Sequence, residues 1–234
     1  MSIFRWSLGK GQTKNFVAFE GDSFFTGTYT IVSNIIAGIG GEGVNFNTIN
    51  NAVGNATIRQ RPGGDNNYMF HPTRLAVTLA AKNSNRRKDL VVIYELLNDL
   101  SYAVLDGNPD PVTYTYNGII DYINVINLNN QGIIFNTPTP ASSANVSGNG
   151  YEKCRKELIN RLRWVWNIPT GTPGVYRSRQ YPNAIMCDIG SDTLMGYYGA
   201  SDDTTYYLSD RVHPSAAGSL RIANNYYVPA ILMY

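Results

Sequence analysis

The stretch Leu90 to Leu97 reads Leu-Val-Val-Ile-Tyr-Glu-Leu-Leu and is nearly all apolar. A run this short and this uniformly apolar is what a strand at the centre of a parallel sheet requires, because such a strand is buried on both faces. Parallel neighbours need crossover connections, and the rest of the chain alternates accordingly. Phe16 to Phe19, Phe46 to Ile49, Gly132 to Phe135 and Ala184 to Ile189 read as four further short strands. Tyr29 to Ala37 has helical apolar spacing and stops at Gly38, a fitting C-cap. Pro72 to Lys82 carries Pro in its first turn, where the missing N–H costs nothing. Val112 to Leu128 places Ile119, Ile120, Ile123 and Ile126 at helical spacing, and Tyr151 to Trp166 is amphipathic. Ala216 to Met233 reads as a last helix that starts after Pro214 and is kinked or ended by Pro229. Gly38 to Gly43 and Pro62 to Asn67 have loop chemistry. The expectation is a single α/β domain over residues 1–234, with a five-stranded parallel sheet covered on both faces.

Hydrophobic residues make up 43% of the 234-residue chain, enough for a sizeable core and against disorder. The formal charge is only +2 with 15% charged residues, so no nucleic-acid partner is expected. Cys154 falls in a helical run and Cys187 in a strand, and both are expected to be reduced core thiols, with a disulfide as the alternative. Their spacing excludes a Cys-pair zinc motif, and neither a metal nor a cofactor is expected. The first residues are basic without an apolar stretch behind them, unlike a signal peptide, and no segment approaches the length of a membrane span. A soluble chain is therefore expected. Richness in Asn, Gly, Thr and Tyr with few Lys is the surface chemistry of extracellular and virion proteins that touch sugars, which brings a phage origin into view.

Functional loops in a parallel sheet sit at the carboxyl ends of the strands. Three of these exits carry reactive side chains. The first strand runs into Gly21-Asp22-Ser23-Phe24-Phe25-Thr26-Gly27, the third into Asn98-Asp99, and the last is followed by Asp210-Arg211-Val212-His213-Pro214. A serine hydroxyl becomes a useful nucleophile only when a base takes its proton. The chain has two histidines, His71 and His213. Asp210 precedes His213 by three residues, close enough to hold one ring nitrogen while the other faces Ser23. His71 sits before Pro72 in a loop and is expected to be structural.

These pieces, in this order, resemble the SGNH or GDSL hydrolase family. The first matches its Gly-Asp-Ser block with Gly27 four positions on, and the last its Asp-x-x-His block with Pro214 after the histidine. The resemblance implies a three-layer αβα sandwich, flavodoxin-like, and a serine esterase with Ser23, Asp210 and His213 as its triad. It implies an oxyanion site from the Ser23 amide, an amide at Gly54 or its neighbour Asn55, and the Asn98 side chain. The third block departs from the family pattern, since Leu96 stands where a glycine is usual, and this puts the local backbone in question.

The substrate expected is a small acyl ester, acetyl above all, on a carbohydrate. Tyr206 and Tyr207, in the loop before His213, are read either as sugar contacts, because a tyrosine ring and hydroxyl suit the mixed surface of a sugar, or as rings that pack the loop onto the domain. The rival readings are a lipolytic or general acyl esterase with the same triad and an inactive glycan-binding or structural virion module. Arg86-Arg87-Lys88 reads as a solvated turn, and Trp164 and Trp166 lie on opposite sides of one helix.

Overall fold

The computed structural model describes residues 15–41, 46–62, 64, 66–82, 89–141, 148–168, 173–197 and 199–234. In chain order the elements are β1 (Asn15–Gly21), α1 (Ile31–Gly38), β2 (Phe46–Asn50), α2 (Pro72–Ala80), β3 (Asp89–Tyr94) and α3 (Leu97–Leu105). There follow α4 (Pro111–Leu128), β4 (Gly132–Asn136), α5 (Gly148–Val165), β5 (Val175–Arg177) and β6 (Ala184–Cys187). The chain ends in α6 (Ala216–Ile222), a π-helical turn over Ala223–Tyr227 and α7 (Val228–Met233).

The strands form one sheet in the order β2-β1-β3-β4-β6-β5. The five expected strands are mutually parallel, and β5 is a sixth, antiparallel edge strand that the sequence reading missed. With only three residues it has too little pattern to stand out. Helices α3, α4 and α5 pack together, as do α1, α6, the π-turn and α7, and these groups flank the sheet. Every residue of β3 is buried, as its composition requires.

The run expected to be strand through Leu97 divides instead. β3 ends at Tyr94, Leu96 takes φ 86° and ψ −19°, and α3 begins at Leu97. Leu97 and Leu100 are buried as the inner face of α3, so the apolar run serves two elements. The last helix also divides. Pro229 has no N–H to return to the carbonyl four residues back, and the turn before it widens to π spacing. Both Cys154 and Cys187 are free thiols, and Cys187 is buried. Trp166 is 3% exposed and Trp164 83%, as their opposite helix faces require. Among the described residues no helix is long and apolar enough to cross a membrane. Arg86-Arg87-Lys88 lies outside the described residues.

Strand order reverses direction between β1 and β3, and in open α/β sheets that switch point is where ligands bind. The β1–β3 register pairs Gly21 with Tyr94. Gly21 has φ +127°, and a Cβ there would lie 2.2 Å from the Tyr94 carbonyl oxygen. Only glycine lets the chain leave β1 at this close approach. Arg74 of α2 braces the same exit, donating to the Gly21 carbonyl at 2.9 Å and to Glu20 at 2.9 Å.

Candidate active site

The turn after β1 is built from its own side chains. Asp22 Oδ1 accepts from the Phe24 N–H at 2.9 Å, and the Thr26 hydroxyl donates to the Ser23 carbonyl at 2.7 Å. Phe24 and Phe25 are buried and root the turn in the core. The result is a sharp bend with Ser23 at its part-buried apex.

The second half of the site is a loop closed at its neck by a bridge between Tyr207 and Pro214. Within it the Leu208 N–H donates to the His213 carbonyl at 2.8 Å. Asp210 Oδ1 accepts from the Val212 and His213 amides, each at 3.0 Å. Those bonds fix the carboxylate, and its Oδ2 stands 2.6 Å from His213 Nδ1. Partial burial works against ionisation of Asp210, but the His213 and Val212 hydrogen bonds outweigh it and hold the carboxyl below its usual range. An ionised carboxylate only accepts, so in the neutral imidazole the proton belongs on Nδ1 and Nε2 is bare. Nε2 lies 2.7 Å from Ser23 Oγ, placed to accept the hydroxyl proton. The fold thus brings Ser23, His213 and Asp210 together across 190 residues of chain. His71 is not part of this group. It precedes α2 and packs edge-on against Tyr68.

Two aromatic neighbours were not anticipated. The imidazole stacks on the Tyr29 ring (centroids 4.5 Å, 9°) and lies tilted over Phe24 (5.0 Å). Tyr29 reads from sequence as the start of a helix, yet it precedes α1. Its position six residues after Ser23, in one tight turn, is the signal available in the sequence.

The other expected donors lie on segments tied to the Gly21-Asp22 exit of β1. Leu96, standing in the usual glycine position, nevertheless takes the left-handed backbone that a glycine would. That costs about 1–3 kcal/mol, comparable with the 1.5–3 kcal/mol or so gained by fully burying a leucine side chain, and Leu96 is fully buried. Asn98 follows with its amide on Asp22 Oδ2 at 3.3 Å and on the Ala56 carbonyl at 3.0 Å. Gly54 sits in a turn closed by Ala56 N–H to the Val53 carbonyl, with Asn55 at φ 59°. Val53 is tied to the Gly21 carbonyl at 3.1 Å, which brings this turn up to the Ser23 bend.

The expectation for Tyr207 is corrected. Tyr207 is 1% exposed and its hydroxyl donates to the Met195 carbonyl at 2.6 Å, so it is core and presents no face to a substrate. The bridge that closes the His213 loop pulls it inward. Tyr206 is half-buried against the core. A cavity of about 240 Å³ lies on the Asp99 side of α3, between Arg61, Tyr102 and Tyr114, and none of the triad residues lines it.

Beneath the bend lies a cluster of buried acids. Asp22 is pushed up to about 8, by burial first and by the neighbouring Asp99 charge, against the Phe24 N–H bond and Arg74. Burial pushes Asp99 up to about 6 against its Ile58 N–H bond, and Glu95 is held well above the carboxylate range by burial and by both neighbours. A carboxyl whose pKa is raised on folding contributes stability that is complete below its unfolded value, 3.8 for aspartate, and lost as pH rises through the folded value. The urea midpoint is therefore expected to fall between about pH 4 and pH 8. Asp99→Asn, which keeps an acceptor for the Ile58 amide, is expected to flatten that decline. An unchanged slope in the variant would remove Asp99 from the account.

Comparison with known proteins gives the fold. No protein-family model matches the sequence, and no curated protein does. The solved acetylxylan esterase of Geobacillus stearothermophilus is similar with a TM-score of 0.55 at 15% identity, over 93% of this chain and 94% of that one. A member of the lipolytic G-D-S-L family from Veillonella parvula gives a TM-score of 0.51 at 15% identity, over 93% and 96%. The architecture of this chain is that of the SGNH hydrolase fold.

Proposed function

We propose that the chain is a serine esterase that removes small acyl groups, acetyl above all, from a carbohydrate through an acyl-enzyme on Ser23. The observation that carries the reading is the unbroken relay from Ser23 Oγ to His213 Nε2 at 2.7 Å and from Nδ1 to Asp210 at 2.6 Å. Ser23 attacks the ester carbonyl as Nε2 takes its proton, and the imidazolium is balanced by Asp210. The tetrahedral oxyanion collapses, the imidazolium returns the proton to the leaving sugar hydroxyl, and the acyl group stays on Ser23. Water, deprotonated by the same nitrogen, then releases the acid and restores Ser23.

The oxyanion needs donors already in place. The Ser23 and Gly54 amides, which have no internal acceptor among the described residues, are the backbone donors in this reading. Asn55 is the alternative to Gly54 on the same turn. Asn98 supplies the third donor when its amide turns from Asp22 to the substrate. The preference for an acylated sugar rests on the polar, tyrosine-rich composition and on fold similarity to an acetylxylan esterase, with Tyr206 as the remaining tyrosine of the expected contact pair.

The purified chain is expected to cleave acetyl model esters far faster than octanoyl esters and to release acetate from an acetylated polysaccharide. Tyr206→Ala should slow the polysaccharide reaction more than the small-ester reaction. Faster cleavage of long-chain esters would replace this reading with the lipolytic one. A chain that binds the polysaccharide and hydrolyses no ester would be a binding module.

A further inference from the structure

Tyr29 has no assigned role, yet it makes the closest ring contact with the catalytic imidazole. The His213 ring lies against two aromatic faces, Tyr29 at 4.5 Å and 9° and Phe24 at 5.0 Å and 42°. Phe24 in turn stacks on Tyr94 at 4.4 Å and 9°. The four rings form a column from the buried end of β3 to the surface, with the imidazole one place from its outer end. Phe24 and Tyr94 are core residues, at most 1% exposed. Tyr29 is only partly buried and caps the column.

The cap is tied to the nucleophile by the backbone. The Tyr29 N–H donates to the Thr26 carbonyl at 3.2 Å, and the Thr26 N–H and hydroxyl both donate to the Ser23 carbonyl. One turn thus carries the attacking oxygen and the ring that covers its base. Burial, followed by the nearby Asp210 and Asp22 carboxylates, raises the Tyr29 phenol above its usual range, so it stays neutral and offers a ring face rather than a charge.

Charge on the imidazole changes during the reaction. His213 is neutral before attack and an imidazolium at the tetrahedral stage. An aromatic face attracts a cation through its quadrupole and attracts a neutral ring less. A contact that strengthens only as the cation forms lowers the barrier without tightening substrate binding.

Resting on the esterase reading above, we infer that Tyr29 is a positioning residue for His213, holding the imidazole toward Ser23 and stabilising the imidazolium with its ring face. The phenol oxygen has no part in this. A structural prop would need only the ring's bulk, whereas an electrostatic cap needs its electron density.

The test compares Tyr29→Phe, Tyr29→Leu and chains carrying mono-, di- and trifluorinated phenylalanine at position 29, with kcat and KM measured on an acetyl ester. Tyr29→Phe should keep kcat within about twofold, and Tyr29→Leu should lose on the order of tenfold in kcat with KM little changed. The fluorinated rings share shape and bulk, and kcat should step down as fluorine withdraws density from the face. A flat fluorine series, or a loss carried by KM, overturns the inference. If Tyr29→Leu does not fold, the fluorine series alone decides. An organophosphorus reagent should label Ser23 in every variant. Failure to label the unaltered chain would overturn the esterase reading itself, whereas labelling with a flat series overturns only the role of Tyr29.

Discussion

Ser23→Ala is expected to lower ester hydrolysis by on the order of ten-thousandfold or more, because removing the attacking oxygen closes the covalent route. The fold should survive. Among the described residues the Ser23 hydroxyl bonds only His213, and one part-exposed hydrogen bond is worth about 0.5–1.5 kcal/mol. The bend around it is held by Asp22, Thr26 and the buried Phe24 and Phe25, none of which needs the hydroxyl. Melting temperature and kcat should therefore separate cleanly. A serine-directed organophosphorus reagent should modify the unaltered chain at Ser23, as read by peptide mass. Full activity in Ser23→Ala, or modification at another serine, would sink the triad.

His213→Ala should be nearly as damaging, and His71→Ala nearly silent. The two histidines differ in everything the chemistry needs. His213 has Ser23 on one nitrogen and a fixed carboxylate on the other, whereas His71 has an edge contact with Tyr68. Asp210→Asn should cost less than His213→Ala, because Asp210 orients the ring and balances its charge without moving a proton. Loss of activity in His71→Ala with retention in His213→Ala would reverse the assignment of the base.

Much of this site is readable in the chain because its parts are local. Gly21-Asp22-Ser23 and Asp210-x-x-His213 each keep their chemistry within a few residues, so their joint occurrence in order at strand exits points to it. Leu96 is different. Its side chain argues against the left-handed backbone that the turn adopts, and only the core around it offsets the strain. Tyr207 fails for the opposite reason. In sequence it belongs to a polar loop, but the bridge to Pro214 draws it into the interior.

By itself, the sequence determined the alternation of elements, the parallel sheet and the candidate nucleophile and base. Apolar runs and short motifs carry that information within single segments, and a strand's uniform burial is written in its own composition. What only the tertiary structure decided is how distant segments meet. It decided that Gly21 passes against Tyr94, that Leu97 turns from strand to helix, that the acids Asp22, Glu95 and Asp99 share one buried space, and that Tyr29 covers His213. Such juxtapositions depend on packing between residues far apart along the chain, and no local periodicity encodes the distance between them.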